Sequence, residues 1–302
     1  MDPSRTIHVP VLLDEVLQGL APRPGDVIVD GTLGGAGHTK ALAERVGAHG
    51  LVIAMDRDPA ALDRAEELLR GLPVRMAQAN FCDLPEVLAQ LHIDAVDGVL
   101  LDLGVSSDQL ADAQRGFSFS SDGELDLRFD SQEGEPAWRL IERLSAEHLA
   151  ELFYYYGEER YSRRIARTIV ERRRQRPIRT SADLAELVRR CVPTQRGRSI
   201  DPATKTFQAL RIAVNDELKS LGIALRRIPD HLRLGGKAAI ISFHSLEDRP
   251  VKEAFRDDPR WRPLAKKPMV ASAEEVERNP RSRSAKLRIA ERTDAENPQP
   301  RK

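Results

Sequence analysis

Val27-Ile28-Val29-Asp30-Gly31-Thr32-Leu33-Gly34-Gly35-Ala36-Gly37-His38 reads as a strand, a glycine-rich turn and the start of a helix. Its opening apolar run, closed by an acid, reads as a short strand buried on both faces, as parallel sheets require. The glycines let the backbone turn tightly and approach a ligand closely. The helix expected next offers free N–H groups at its start. The loop is not a dinucleotide fingerprint, because Lys40 sits where the third glycine of Gly-x-Gly-x-x-Gly belongs. Nor is it a P-loop, since no Gly-Lys-Ser/Thr follows.

Leu51–Asp56 and Gly98–Asp102 repeat the pattern of an apolar run ending in an acid, and Lys237–Phe243 follows Gly235-Gly236 as a further buried strand. Asp58-Pro59 is a plausible N-cap and first-turn proline, with Leu62, Ala65 and Leu69 at helical spacing behind it. Alternation of this kind predicts an α/β, doubly wound, Rossmann-like fold. Asp56 lies about 20 residues past the glycine loop, where nucleoside-binding folds use an acid to accept hydrogen bonds from ribose hydroxyls. Asp102 ends its strand at the carboxyl edge of the sheet, where ligands of open α/β sheets bind. An acid there can hold an incoming nucleophile, which suits S-adenosylmethionine chemistry better than hydride transfer. The competing role for Asp102 is to cap the next turn.

The strand–helix rhythm breaks after Asp102. Gly104–Asp130 is rich in Ser, Asp and Gly and reads as a long loop. Helical patterns follow over Ser145–Arg174 and Thr180–Val192, with Thr180-Ser-Ala-Asp183 as a helix start and Asp201-Pro202 as another cap. Phe207, Leu210, Val214, Leu218, Leu221, Leu225 and Ile228 predict one long amphipathic helix. A helical block therefore interrupts the α/β domain before its next strand. The tail from Pro259 is expected to close the sheet with a pair of strands, Ala285–Ala290 being one of them.

The 302 residues carry 47 Lys or Arg and 47 Asp or Glu, a net charge of zero. Taken alone, this argues against a polybasic nucleic-acid binder. The balance is a cancellation, however. Ser107–Glu159 holds 13 acids against 4 basic residues, and Arg160–Arg211 holds 15 Lys or Arg against 4 acids. Arg163, Arg164, Arg167, Arg172, Arg173, Arg174 and Arg176 form a candidate phosphate-binding face, the alternative being a solvated helix side. Tyr154, Tyr155, Tyr156 and Tyr161 lie beside it, and three consecutive tyrosines cannot share one buried helix face. Phe117 and Phe119 offer stacking surfaces in the long loop, or anchor it to the core. His244 and Ser245 follow a strand end near the same sheet edge and suit base or cofactor positioning, or a helix start for Ser245.

Only two cysteines are present, Cys82 and Cys191, without CxxC spacing. They read as ordinary buried thiols in a reducing, cytoplasmic compartment. The seven histidines show no metal-ligand spacing, so no metal is expected. No apolar run is long enough for a membrane span, and the first 15 residues lack the apolar stretch of a secretion signal.

The chain resembles the bacterial 16S ribosomal RNA cytosine-N4 methyltransferases, the RsmH (MraW) family, over nearly its whole length. The resemblance is carried by His8-Val-Pro-Val-Leu-Leu-Asp-Glu15, Asp30–Gly34 with Gly37-His38, Asp56-Arg-Asp-Pro59, Leu100–Ser107 and Arg115-Gly-Phe-Ser-Phe119. It continues through Gly157-Glu-Glu-Arg160, Pro202–Asn215, Phe243–Arg249 and Asn279-Pro-Arg-Ser-Arg-Ser-Ala-Lys286. Ala36 stands where the family's loop has a glycine, and Leu127 and Phe129 where methionines are usual.

The resemblance implies a class I methyltransferase fold with S-adenosylmethionine as cofactor. It divides the chain into a discontinuous cofactor domain, 1–106 and 215–302, and an inserted RNA-recognition domain, 107–214. Ala36, Gly37 and His38 would line the methionine part of the cofactor, Asp56 would hold the ribose and Phe81 would contact the adenine. Asp102 would stand between the cofactor's amino-acid end and the incoming base, and Gln109 would close over the cofactor. The implied reaction is direct methyl transfer to the exocyclic N4 amine of a cytidine in the decoding region of 16S rRNA. The small ribosomal subunit would be the partner and the protein a monomer or homodimer. A delocalised amine is a poor nucleophile, so positioning and a hydrogen-bond acceptor matter most, with Asp102 the best placed acceptor. No covalent cysteine is needed, and the target base is expected to be extruded into a pocket. The competing readings are another S-adenosylmethionine-dependent RNA methyltransferase, a nicotinamide-dependent oxidoreductase, and a non-catalytic rRNA-binding assembly factor using only the arginine face.

Overall fold

The computed structural model describes residues 9–119, 122–193 and 201–295. His8 of the first motif, Ser120 and Ser121 of the long loop, and Arg196 and Arg198 of the basic stretch lie outside the described residues. The chain divides into two compact units, Met1–Ser107 with Leu218–Lys302, and Asp108–Glu217.

The first unit is built on a seven-stranded sheet. In chain order its elements begin α1 (Leu13–Leu20), β1 (Val27–Asp30), α2 (Gly37–Val46), β2 (Leu51–Asp56), α3 (Pro59–Leu68), β3 (Val74–Gln78), α4 (Leu84–Gln90) and β4 (Val96–Asp102). The chain then runs through α5 (Ser107–Ala111), α6 (Ala137–Arg143), α7 (Ala146–Gly157), α8 (Ser162–Arg173), α9 (Ser181–Cys191) and α10 (Thr204–Asn215). It returns with α11 (Glu217–His231), β5 (Leu232–Ser242), α12 (Ser245–Asp257), β6 (Trp261–Pro263), α13 (Ala273–Arg278) and β7 (Lys286–Arg292).

The sheet order is β3-β2-β1-β4-β5-β7-β6. β1 to β5 are mutually parallel, and β7 runs antiparallel to both β5 and β6. Strand side chains alternate between the faces. Val29, Ile53, Leu101 and Ile240 pack with Leu88, Leu225 and Phe255 on one side. Ile28, Val52, Leu100 and Ile241 pack with Val16 and Leu42 on the other. Both faces are dry, which is why these strands appear in the sequence as unbroken apolar runs.

α3 starts as expected, with Asp58 Oδ1 accepting the Ala60 N–H at 3.1 Å and Pro59 in the first turn. In the second unit, Leu149, Phe153, Ile165, Ile169, Leu184, Val188 and Leu210 are buried along the helices. Thr180 caps α9 by accepting the Asp183 N–H at 3.1 Å. The helix expected through residues 207–228 is broken. Asp216 is left-handed (φ 51°) and separates α10 from α11. Asn215 holds the break by donating to the Leu127 carbonyl (2.7 Å) and accepting the Phe129 N–H (2.7 Å). Glu158, also left-handed, divides residues 145–174 into α7 and α8. α10 starts at Thr204 rather than at Asp201-Pro202, and Asp201 instead bonds the Ala203 N–H and pairs with Arg189. Among the described residues no helix is long and apolar enough to cross a membrane.

Candidate active site

Three carboxylates end three neighbouring strands on one edge of the sheet: Asp30 on β1, Asp56 on β2 and Asp102 on β4. The strand order reverses between β1 and β4, where α/β sheets open a crevice for ligands. Asp30 is fully buried and structural. Its Oδ2 accepts the Thr39 hydroxyl at 2.7 Å, and its Oδ1 accepts the Thr32 N–H at 3.1 Å. Burial raises its pKa against those bonds. The Thr32 hydroxyl in turn accepts the Asp102 N–H at 2.6 Å, tying the β1 turn to the end of β4.

Burial pushes the Asp102 carboxyl up to about 6, partly opposed by His38 and Arg281. Its Oδ1 is buried without a hydrogen-bond partner among the described residues. Its Oδ2 stands 3.9 Å from His38 Nδ1. His38, on the first turn of α2, places Nε2 3.0 Å from the Val11 carbonyl. A carbonyl only accepts, so Nε2 carries the proton and Nδ1 presents a lone pair. Burial holds the His38 pKa below its ordinary value although Asp102 draws it upward. The histidine is therefore neutral near pH 7 and forms no ion pair with Asp102. Two acceptors, Asp102 and His38 Nδ1, therefore stand side by side, and among the described residues none donates to Asp102 Oδ1.

Asp56 accepts the Gly34 N–H through Oδ2 (2.8 Å) and the Asp58 N–H through Oδ1 (2.9 Å), and burial raises it to about 6. Each oxygen keeps a further lone pair for a ligand hydroxyl. Ala36 caps α2 in a left-handed conformation (φ 62°, ψ 8°) that favours glycine. At Gly37 a Cβ would stand 2.9 Å from the Pro10 ring, so that position admits only glycine without movement. Phe81 begins a short 3-10 turn after Asn80 and lies against Gly31, where a Cβ would come within 2.9 Å of the phenylalanine Cβ. An orphaned buried carboxylate oxygen for an ammonium or amine, and an acid with free lone pairs for a ribose diol, fit S-adenosylmethionine.

Gln109 is buried on α5. His244 precedes α12, of which Ser245 is the first residue. His244 Nε2 is 3.0 Å from Glu247 Oε1, but the contact is not aligned as a hydrogen bond, and both ring nitrogens are buried without one among the described residues. Phe117 is only 5% exposed and stacks on Phe129 with centroids 6.0 Å apart, so its packing favours the anchoring role. Phe119 is half-buried and meets Phe207 edge-on at 4.9 Å.

Arg163, Arg164 and Arg167 are exposed on α8, opposite its buried Ile165, Ala166 and Ile169. Arg173 is used internally, donating to the carbonyls of Ile141 and Leu144. Cys82 and Cys191 are free and buried, and burial raises the Cys82 thiol. Sequence reasoning gave no role to Thr32 or Val11. Arg281 stands in the sequence only as one residue of the Asn279–Lys286 motif.

A family profile, that of the MraW methylase family, matches residues 5–293. The chain belongs to the MraW methylase family. Its curated relatives include proteins named ribosomal RNA small subunit methyltransferase H. The one from Deinococcus deserti is 53% identical over 287 residues, covering 95% of this chain and 93% of that protein. The one from Rhodopirellula baltica is 48% identical over 302 residues, covering 96% and 93%. Among solved structures, an rRNA methylase from Streptococcus thermophilus aligns with a TM-score of 0.46 at 11% identity, covering 96% of this chain and 100% of that one.

Proposed function

We propose that this chain transfers a methyl group from S-adenosylmethionine to the exocyclic N4 amine of a cytidine in the decoding region of small-subunit (16S) ribosomal RNA. Family membership and the names of its relatives support an S-adenosylmethionine-dependent rRNA methyltransferase. The observation that carries the choice of an amine is Asp102, whose Oδ1 is a buried acceptor with no partner among the described residues.

When bound, the cofactor supplies a methyl group on a positively charged sulfur. The chain's own residues do the rest. Asp102 Oδ1 accepts an N4 hydrogen, which draws the nitrogen toward tetrahedral geometry and frees its lone pair. A carboxyl poised near 6 is ionised at neutral pH yet basic enough to take the proton that the methylated amine gives up. Thr32 fixes the Asp102 backbone. The Val11 carbonyl fixes His38 in the tautomer that turns Nδ1 toward the carboxylate. Asp56 holds the ribose, Ala36 and Gly37 border the methionine part, and Phe81 borders the adenine.

The inserted unit supplies the RNA face. Arg163, Arg164 and Arg167 have no carboxylate partner among the described residues. Tyr154, Tyr155 and Tyr156, at the adjoining end of α7, are 58%, 65% and 38% exposed. Exposed guanidinium groups without carboxylate partners, next to exposed aromatic rings, suit phosphates and unpaired bases. Such a substrate puts the protein in the cytoplasm, with the assembling small subunit. The test is mass spectrometry of 16S rRNA from a deletion strain. Loss of one N4-methylcytidine, restored by the wild-type gene and not by Asp102→Ala, is expected; an unchanged modification pattern would refute the proposal.

A further inference from the structure

The segment α13 with the 3-10 turn Pro280–Ser284 comes from the far end of the chain, yet it touches both walls of the Asp102 site. Arg281 Nη1 donates to Ser107 Oγ at 2.8 Å, and its Nη2 donates to the Val105 carbonyl. These acceptors lie just beyond Asp102. The same guanidinium lies over the Phe243 ring, 6.0 Å from its centroid. On the other wall, Asn279 Nδ2 donates to the Val9 carbonyl at 3.1 Å, and Glu275 Oε1 accepts the Leu12 N–H at 2.7 Å. Between Val9 and Leu12 lies Val11, whose carbonyl orients His38. Ser282 is fully buried and closes the turn onto the Asn279 carbonyl at 2.8 Å, so Asn279 and Arg281 are held in fixed relation.

We propose that Arg281 is a positioning residue for the reaction. It pins Val105–Ser107 behind Asp102 and keeps a positive charge near the carboxylate, while the segment that carries it braces the His38 wall through Asn279 and Glu275. The role needs arginine, because a planar fork can hold a carbonyl and a hydroxyl together and a lysine ammonium cannot reproduce that geometry. The groups that bear on Asp102 are His38 from α2, Arg281 from the turn, Asp30 from β1 and Glu247 from α12. Of these, Arg281 is the one permanent cation. The proposal rests on Asp102 being the acceptor for the amine.

The test separates charge from geometry and does not depend on turnover. Protein labelled with 13C at the aspartate carboxyls is titrated by NMR without cofactor, the Asp102 signal being assigned by its loss in Asp102→Asn. In the wild type the midpoint is expected near 6. Arg281→Ala moves it upward by about half a pH unit or more, because a cation has gone, and Arg281→Lys leaves it nearly in place. Hydrogen exchange at Val105–Ser107 accelerates about tenfold or more in both variants, because both lose the fork. The methylation rate falls about tenfold in Arg281→Ala and less in Arg281→Lys. Arg283→Ala, at an exposed neighbour, moves none of these.

An unmoved midpoint with unchanged exchange in Arg281→Ala overturns the proposal. If that variant does not fold, Arg281→Lys decides: faster exchange with an unmoved midpoint supports it, and unchanged exchange overturns it. A wild-type protein that transfers no methyl refutes the functional reading instead, since the first two readouts need neither cofactor nor RNA.

Discussion

His38 Nδ1 faces Asp102 Oδ2 across 3.9 Å, two hydrogen-bond acceptors side by side, with the second oxygen of Asp102 buried and unsatisfied. In the free protein this pair is unfavourable, since desolvating an anionic acceptor without a donor costs stability. It becomes favourable when a ligand brings N–H groups. Asp102→Asn keeps the shape but removes the charge. It is expected to lower the methyl-transfer rate by about 100-fold or more while raising the melting temperature of the cofactor-free protein at pH 7.5. Stopped-assay kinetics and calorimetric melting check the two halves.

The same two carboxyls set the response to pH. Asp56 and Asp102 are both raised from 3.8 to about 6 by burial. Between those values the folded state binds more protons than the unfolded state. Unfolding free energy therefore falls as pH rises from about 4 to 6, and the loss is complete above that range. These two groups alone make the cofactor-free protein more stable near pH 5 than at pH 7. The methylation rate is expected to run the other way, rising through a limb centred near 6 as Asp102 ionises. Urea unfolding in Asp56→Asn and Asp102→Asn, compared with the wild type across this range, checks the first statement. The pH dependence of kcat/KM checks the second.

Ala36 occupies a left-handed backbone position at the head of α2. A left-handed alanine costs roughly 1–2 kcal/mol, and glycine there gives back part of that in unfolded-chain entropy. Ala36→Gly is expected to change stability by less than about 1 kcal/mol, toward stabilisation, and to leave cofactor affinity within about threefold of wild type. Urea unfolding and calorimetric titration with S-adenosylmethionine provide the check.

Thr32 links Asp30 to the Asp102 backbone through one hydroxyl. Thr32→Val is nearly isosteric and leaves the Asp102 N–H without that acceptor. A loss of roughly 1–3 kcal/mol in stability is expected. The rate falls more than the cofactor affinity does, because Asp102 loses its fixed position. Thermal melting together with separate measurement of kcat and the cofactor Kd tests this.

On the inserted unit, charge and stacking are separable. Each of Arg163→Ala, Arg164→Ala and Arg167→Ala should flatten the dependence of log affinity on log salt by about 1, as one phosphate contact is lost. Tyr154→Ala and Tyr155→Ala should weaken RNA binding by about 1–3 kcal/mol each without changing that slope, because stacking is not electrostatic. Fluorescence anisotropy over a salt series reads both.

Much of this architecture was visible in the residues, and the exceptions have physical causes. β1 and β2 match their apolar runs because both their faces are dry. β3 left no such run, since Val74–Gln78 is an edge strand exposed along much of its length. The apolar period continues through Asn215 and Asp216, so nothing in the spacing announces the break between α10 and α11. That break depends on backbone groups of Leu127 and Phe129, far away in sequence. The acids at the strand ends could be picked out because each closes an apolar run at the carboxyl edge of a parallel sheet, where ligands of such folds bind. Thr32 and Arg281 act through hydrogen bonds that only the fold closes, and Arg281 lies 174 residues from Ser107. Phe117 shows the converse, an aromatic residue in a polar loop whose ring belongs to the core.

The proposed chemistry depends on Asp102 accepting a hydrogen from the amine that receives the methyl group. The most direct measurement is nucleoside mass spectrometry of small-subunit RNA incubated with isotopically labelled S-adenosylmethionine and either wild-type protein or Asp102→Asn. Label is expected in a single N4-methylcytidine with the wild type, and is almost completely lost with Asp102→Asn although that variant still binds RNA. Label on a ring carbon or a ribose oxygen, or wild-type rates with Asp102→Asn, would contradict it.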